Sequence, residues 1–265
     1  MELTAQEKIE RIKDFRPIDD IFFELLAQDI EVCQEILRVI LQDNELIVKD
    51  SIVQSDVRNI YGRSVRLDAL CILGNGVLVN IEVQRADNDD HLRRVRFNAS
   101  SITVKDSNTG DRFENVKDVY VVYISENDFL AKGRTIYHIN KVIEETGDVI
   151  DDGLHEIFVN AQVNDKTEIA ELMECFTQKE VNNPKFPKLS GRVTEIKTTE
   201  GGATSMCELM EKYNKEAADK AVLEEKARTI GILIKKRNMT FDEACDFLFI
   251  PAEKKNAIKE VMPYV

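Results

Sequence analysis

The stretch RLDALCILGNGVLVNIEVQR, residues 66–85, sets two carboxylates, Asp68 and Glu82, among residues whose alternation otherwise belongs to buried strands. Oxygen-only ligands of this kind suit a hard divalent cation, Mg2+ or Mn2+, in preference to zinc. Such a cation neutralises negative charge beside it and lowers the pKa of bound water, the two demands of a metal-assisted hydrolysis. Two carboxylates are few for a metal site, so a third acidic residue is expected from the preceding helices. Asp20 is the first choice, with Asp19 and Glu24 as rivals, and helix capping is the competing use of Asp20.

Whether the two carboxylates meet is a question of register. Residues 64–73 and 77–84 alternate with period two around Gly74-Asn75-Gly76, which reads as a β-hairpin. With a three-residue loop and Gly76 left-handed, Asp68 stands opposite Glu82 and Arg66 opposite Gln84. Glu82 and Gln84 then share one strand face, with Ile81 and Val83 on the other. Directly opposed side chains lie about 4.5–5.5 Å apart at Cβ, where like charges repel. A cation between them removes the conflict. A two-residue loop would shift the register by one and part the carboxylates. The alternative use of the pair is a solvated polar hairpin face.

The hairpin is followed by a second concentration of charge. Asp87 to Val104 reads as a helix capped by Asn88 or Asp89, with an apolar stripe of Leu92, Val95, Ala99 and Ile102. Arg93, Arg94 and Arg96 fall within about one turn of it and spread over more than one face. Either they form an anion-binding patch beside the carboxylates or they form a solvated face with Asp87, Asp89 and Asp90. From Arg58 to Phe97 there are seven arginines against five acidic residues, a local net charge of +2 in a chain of net charge −13. From Cys207 onward basic and acidic residues balance at 11 each, so the whole excess of negative charge lies before it. Any nucleic-acid contact must therefore use a local patch.

The remaining elements are legible as a framework. Residues 3–14 read as an amphipathic helix, and Pro17 to Asp20 as a turn and cap before IFFELLAQ. Asp29–Leu41 is a second core helix. The period shifts toward two from Leu46, and VKDVYVVYIS and LHEIFVNAQ read as buried strands. Residues 165–179 read as helix, and Asn182 to Pro187 as a break. Glu208–Lys236 is a charged helical segment, and TFDEACDFLFIPAEKKNAIKEVM a helix, turn and helix, with a Thr240/Glu243 capping box and Pro251 opening the second helix.

This gives four segments: an N-terminal helix over 1–14, an α/β core over 15–180, a linker over 181–206 and a C-terminal helical tail over 207–265. Lys235, Lys236, Arg237, Lys254 and Lys255 lie outside any clear recognition helix, so the tail is read as an oligomerisation element before a DNA reader.

Several chemistries find no support. The five cysteines show no C-x-x-C pair and no nearby histidine at ligand spacing, which leaves no zinc site or disulfide framework. They read as small core residues of a reducing compartment. His91 is read as incidental, and His138 and His155 as isolated boundary residues. Phosphate-loop, dinucleotide, serine-elbow and zinc-protease signatures are absent. No apolar run approaches a membrane span and the first residues are charged, so a cytoplasmic, membrane-free protein is expected.

The order of these blocks resembles the PD-(D/E)XK nuclease superfamily, in particular its transposase-associated, recombination-promoting nuclease branch. The resemblance is carried by PIDDIFFELL, VRLDALCILGNGVLVNIEVQ, RRVRFNASSI and TGDRFENVKDVYVVYI, with the helical tail behind them. It implies a restriction-endonuclease-like α/β fold, a mixed sheet flanked by helices, and a Mg2+-dependent DNA endonuclease acting by phosphodiester hydrolysis in DNA recombination. Asp68 and Glu82 are then the metal ligands and, with Gln84, the catalytic set. Gln84 stands where the superfamily more often has a lysine, although glutamine is usual in this branch. An amide orients water without bringing charge, and Arg66 or Arg85 could supply the missing positive charge. Arg94 and Arg96 join them as phosphate contacts. The alternative is a weak or inactive nuclease fold serving as a DNA-binding or protein-interaction module.

Overall fold

The computed structural model describes residues 3–57, 65–85, 90–110 and 112–262. The chain divides into two compact units, residues 1–206 and 207–265. In the first, α1 (Ala5–Ile12), α2 (Asp20–Ala27) and α3 (Ile30–Leu41) precede the strands β1 (Val48–Val57), β2 (Val65–Leu73) and β3 (Leu78–Gln84). Helix α4 (His91–Asp106) then crosses to β4 (Val119–Ser125). Strands β5 (Ile136–Ile139), β6 (Lys141–Val142), β7 (Val149–Ile150) and β8 (Leu154–Asn160) follow, and α5 (Glu168–Thr177) and α6 (Pro187–Thr198) complete the unit. Helix α7 (Glu200–Arg237) runs across the division, and α8 (Phe241–Phe247) and α9 (Ala252–Val261) end the chain.

Six strands form one mixed sheet in the order β1-β2-β3-β4-β8-β5, while β6 and β7 pair separately. β1, β2 and β3 are antiparallel neighbours, β3, β4 and β8 run parallel, and β5 returns antiparallel along β8. A parallel β3–β4 pair cannot be joined by a tight turn, and the 16 residues of α4 supply the crossover. β3 is buried over six of its seven positions, as expected of a strand with helices on both faces. On one face Val95, Ala99 and Ile102 of α4 pack with Leu70, Leu78, Val119, Val121, Tyr123 and Phe158. On the other, α2 lies against β1, β2 and β3 and α3 against β1. The sequence DIFFELLA is apolar nearly all round, which is why Phe22, Phe23, Leu25, Leu26 and Ala27 are all buried.

The hairpin adopts the register that the three-residue loop requires. Ala69 pairs with Ile81, Leu70 with Asn80, Cys71 with Val79 and Ile72 with Leu78. The turn is closed by Gly76 N–H donating to Leu73 O and Leu73 N–H donating to Val77 O, with Gly76 at φ +89°. Only glycine adopts that conformation without strain.

Two details differ from the sequence reading. The stretch 181–206, read as a linker, carries α6, whose Leu189, Val193 and Ile196 are buried and which packs on α1, α2 and α3. Pro187 opens this helix and does not merely break the chain, because its fixed φ suits the first helical turn. In α4 the buried stripe is His91, Val95, Asn98, Ala99 and Ile102, whereas Leu92 is exposed. The cap expected from Asn88 or Asp89 lies outside the described residues. Asp90 fills that position, accepting from Arg93 N–H.

The second unit has its own small core of Ala227, Ile230, Ala244, Cys245, Ile250 and Ile258. Its Thr240/Glu243 capping box forms in both directions, and Pro251 occupies the N-cap of α9. Among the described residues, no helix is long and apolar enough to cross a membrane. All five cysteines are free and buried.

Gly76→Ala should destabilise the protein by about 1 kcal/mol, because alanine is strained at positive φ. Urea unfolding of the variant checks this. An unchanged midpoint would show that the turn tolerates a Cβ.

Candidate active site

Along β3 the residues on the α4 side run Leu78, Asn80, Glu82, Gln84, an apolar start that turns polar toward the carboxyl end of the strand. In open α/β sheets, that end of the parallel strands is where ligands bind. The sheet ladder is interrupted at the same level. The β2–β3 pairing stops at Ala69 and Ile81, and the β1–β2 pairing passes from Val53–Ala69 to Ser55–Leu67 without Asp68. Gln54, across from it, has a left-handed backbone at φ +50°.

The carboxylates take over the missing ladder bonds. Asp68 N–H donates to Glu82 Oε1 at 3.3 Å, and Val83 N–H donates to Asp68 Oδ2 at 3.0 Å. The register thus places Asp68 across from Glu82, each locked by the other's strand. Asn80 Nδ2 adds a second donor to Glu82 Oε1, at 2.9 Å. Glu82 Oε2 is buried and has no hydrogen-bond partner among the described residues. The guanidinium of Arg94, on α4, stands 3.7 Å from it and donates through Nη1 to Gln84 Oε1 at 2.9 Å.

This crowding has a direct electrostatic consequence. Burial, and next the charge of Glu82, push the Asp68 carboxyl well above the ordinary carboxylate range. Burial also raises Glu82, opposed by the Asn80 hydrogen bond and by Arg94. Asp20, at the first turn of α2, reaches solvent, yet loss of water around it raises its pKa as well, with Arg94 the main opposing charge. Its charge acts on both Asp68 and Glu82. Among the described residues, however, no three acidic, histidine or cysteine side chains come together as a metal cage. Asp20 is within electrostatic reach and does not complete a three-ligand set.

The other residues singled out in the sequence fall in three places. Asp19 is the N-cap position of α2, and its carboxylate joins Arg16, Arg85 and Glu126. Arg85 binds Asp19 Oδ1 at 3.0 Å. A cleft of about 450 Å3 opens here, lined by Phe15, Asp19, Asp20, Gln84 and Arg85 among others. Glu24, one turn beyond Asp20, is buried. Arg66 donates to Asp56 on β1 at 3.1 Å, and the guanidinium found on Gln84 is that of Arg94. Arg93 pairs with Asp90, and Arg96 is exposed, its charge acting on Glu156 of β8. Of the three helix arginines, it is Arg94 whose guanidinium stands at the carboxylate site.

Two residues escaped the sequence reading. Asn80 orients Glu82, and its signal was available: it lies two positions before Glu82 on the same strand face. His91 is buried, its Nδ1 2.8 Å from the Tyr123 hydroxyl and its ring stacked on Phe129 at 4.3 Å. Read as incidental, it instead ties the start of α4 to β4. Its position four residues before Val95 put it on the buried stripe.

The donor set fits a hard divalent cation. Mg2+ is commonly bound by one or two carboxylates, with water and substrate phosphate completing its shell. A buried carboxylate oxygen without a hydrogen bond from the described residues is the kind of group such an ion satisfies.

A mixed sheet flanked by helices, with a helical crossover leaving the acidic strand end, is the architecture of the restriction-endonuclease-like α/β proteins. The sequence model of the PD-(D/E)XK nuclease family transposases matches residues 19–183, and the chain belongs to that family. No curated protein and no solved structure matches it.

A carboxyl whose pKa is raised by folding binds protons more tightly in the folded than in the unfolded chain. Stability therefore falls as pH rises from the ordinary carboxylate range through the raised value. Asp68→Asn removes this burden while keeping an acceptor for Val83 N–H. Without added metal it should stabilise the protein at pH 8 by roughly 1 kcal/mol, the scale of relieving a strained functional site. The gain should shrink as pH falls toward 4. Thermal unfolding across this pH range checks it, and destabilisation at pH 8 would contradict it.

Proposed function

We propose that the protein is a Mg2+-dependent DNA endonuclease of the recombination-promoting type, hydrolysing phosphodiester bonds at the Asp68–Glu82 pair. The observation that carries this reading is the pair itself: two facing carboxylates on β2 and β3, held together against their own repulsion by backbone and amide donors, at the level of the carboxyl end of β3. A purely structural hairpin has no use for that arrangement, since apolar residues of similar size would fill the positions without the electrostatic burden.

In this reading Asp68 and Glu82 hold the cation, Mg2+ or Mn2+. When bound, it supplies Lewis-acid charge beside the scissile phosphate. Gln84, two residues along the same face, presents its amide to the attacking water and orients it without taking its proton. Arg94 brings positive charge to the phosphate, the contribution that an amide cannot make. Arg85, on the rim of the neighbouring cleft, is placed for a further backbone phosphate, and Asp20 for a water of the metal shell. The net charge of −13 makes such local cations necessary for DNA to approach. The C-terminal unit serves self-association in this reading, supported by its exposed Val222, Ile232, Phe247 and Phe249.

Purified protein should nick or cut DNA with Mg2+ and stop in EDTA. Glu82→Ala should lower cleavage by at least about a hundredfold, as expected for loss of a group acting on the transition state. Undiminished cleavage by that variant would remove the site assignment, and metal-independent DNA binding without cleavage would favour a binding module.

A further inference from the structure

The two ends of the Arg94 guanidinium face different partners. Nη1 donates to the neutral Gln84 amide at 2.9 Å, a full hydrogen bond, while Nη2 stands 3.7 Å from Glu82 Oε2, too far for one. The side chains also differ in freedom: Arg94 is 35% exposed and Glu82 1%. The carboxylate is enclosed, whereas the guanidinium also reaches solvent. Gln84 is itself anchored in the sheet, its carbonyl accepting from Glu126 N–H at 3.0 Å.

One positive charge thus stands over the carboxylates that would bind a dication. It favours the charged form of Asp20, Asp68 and Glu82 alike. A dication arriving on the same carboxylates is repelled by Arg94, yet the Gln84 tether carries no charge and is indifferent to it. A guanidinium displaced from Glu82 but still held at Nη1 keeps Nη2 beside the site, in the planar fork that matches a phosphate.

We propose that Arg94 is a tethered counter-ion. Gln84 holds Nη1, and Nη2 is shared between Glu82 in the metal-free protein and a non-bridging oxygen of the phosphodiester once a divalent cation lies on Asp68 and Glu82. This rests on the metal-site reading above. Arg94 opposes metal binding when DNA is absent and favours it when DNA is present, so it couples the two ligands. By linkage the coupling is reciprocal: metal strengthens DNA binding as much as DNA strengthens metal binding.

The test is calorimetric titration of Mn2+ into the full chain without DNA, for wild type, Glu82→Gln, Arg94→Gln, Arg94→Met and Arg94→Lys. Loss of binding in Glu82→Gln locates the site. Arg94→Gln and Arg94→Met should bind Mn2+ about tenfold more tightly than wild type while cutting DNA more slowly, and Arg94→Lys, which keeps the charge, should stay near wild type in metal affinity. Either charge-removing variant suffices should the other fail to fold. Unchanged or weaker Mn2+ binding in both, with Glu82→Gln still abolishing it, would overturn the counter-ion and leave the metal site standing. Absence of wild-type binding, or binding that survives Glu82→Gln, would remove the metal site and the proposal with it.

Discussion

Two carboxyl groups held face to face, Glu82 buried and Asp68 half-buried, are the constraint around which this domain is arranged. Asp68 and Glu82 are brought together by a hairpin whose register admits no alternative once Gly76 takes its left-handed turn. The Val83 and Asp68 N–H groups, the Asn80 amide and the Arg94 guanidinium reduce the penalty, while the charge of Asp20 adds to it. These contacts do not cancel it: burial first of all keeps both carboxyls above the ordinary carboxylate range, and for Asp68 the charge of Glu82 adds to that. Folded proteins retain such unfavourable groupings where function uses them.

The β3–α4–β4 crossover links this local problem to the fold. A parallel strand pair requires a long connection, and the helix that supplies it must return across the sheet face carrying Glu82 and Gln84. Its buried stripe fixes the rotation of α4, with His91 pinned between Tyr123 and Phe129. That rotation sends Arg94 to the site, Arg93 to Asp90 and Arg96 toward Glu156. On the opposite face, the apolar α2 presses against β2 and β3 and leaves Asp20, its first residue, near the carboxylates. Packing on the α4 face thus supplies the positive charge that the strand itself lacks, and packing on the α2 face adds a third carboxylate nearby.

Local chemistry decided what was legible in the amino-acid order. A Gly-Asn-Gly turn between two period-two segments left only the loop length open, and the three-residue loop with Gly76 left-handed is the one that brings Asp68 to Glu82. The crossover helix was legible too, but not which of three neighbouring arginines it would present, since that depends on how the helix rotates on the sheet. Arg66 illustrates the same limit: its place opposite Gln84 followed from the hairpin alone, whereas it bonds to Asp56 on β1, beyond the hairpin's other edge. Helix α6 was hidden because its three buried residues are sparse in a polar segment that two prolines introduce, and only the groove left by α1, α2 and α3 gives them a core. The third acidic position depended on the packing of a separate helix, and Asp20 comes near without joining a cage among the described residues.

The central claim is that the hairpin pair is a cation site. Anomalous diffraction from crystals grown with Mn2+, recorded at the manganese edge, tests it most directly. The account predicts a peak between the carboxylates of Asp68 and Glu82, with Arg94 still on Gln84 and withdrawn from Glu82. A peak elsewhere in the domain, or none at saturating Mn2+ with Arg94 still beside Glu82, would contradict it.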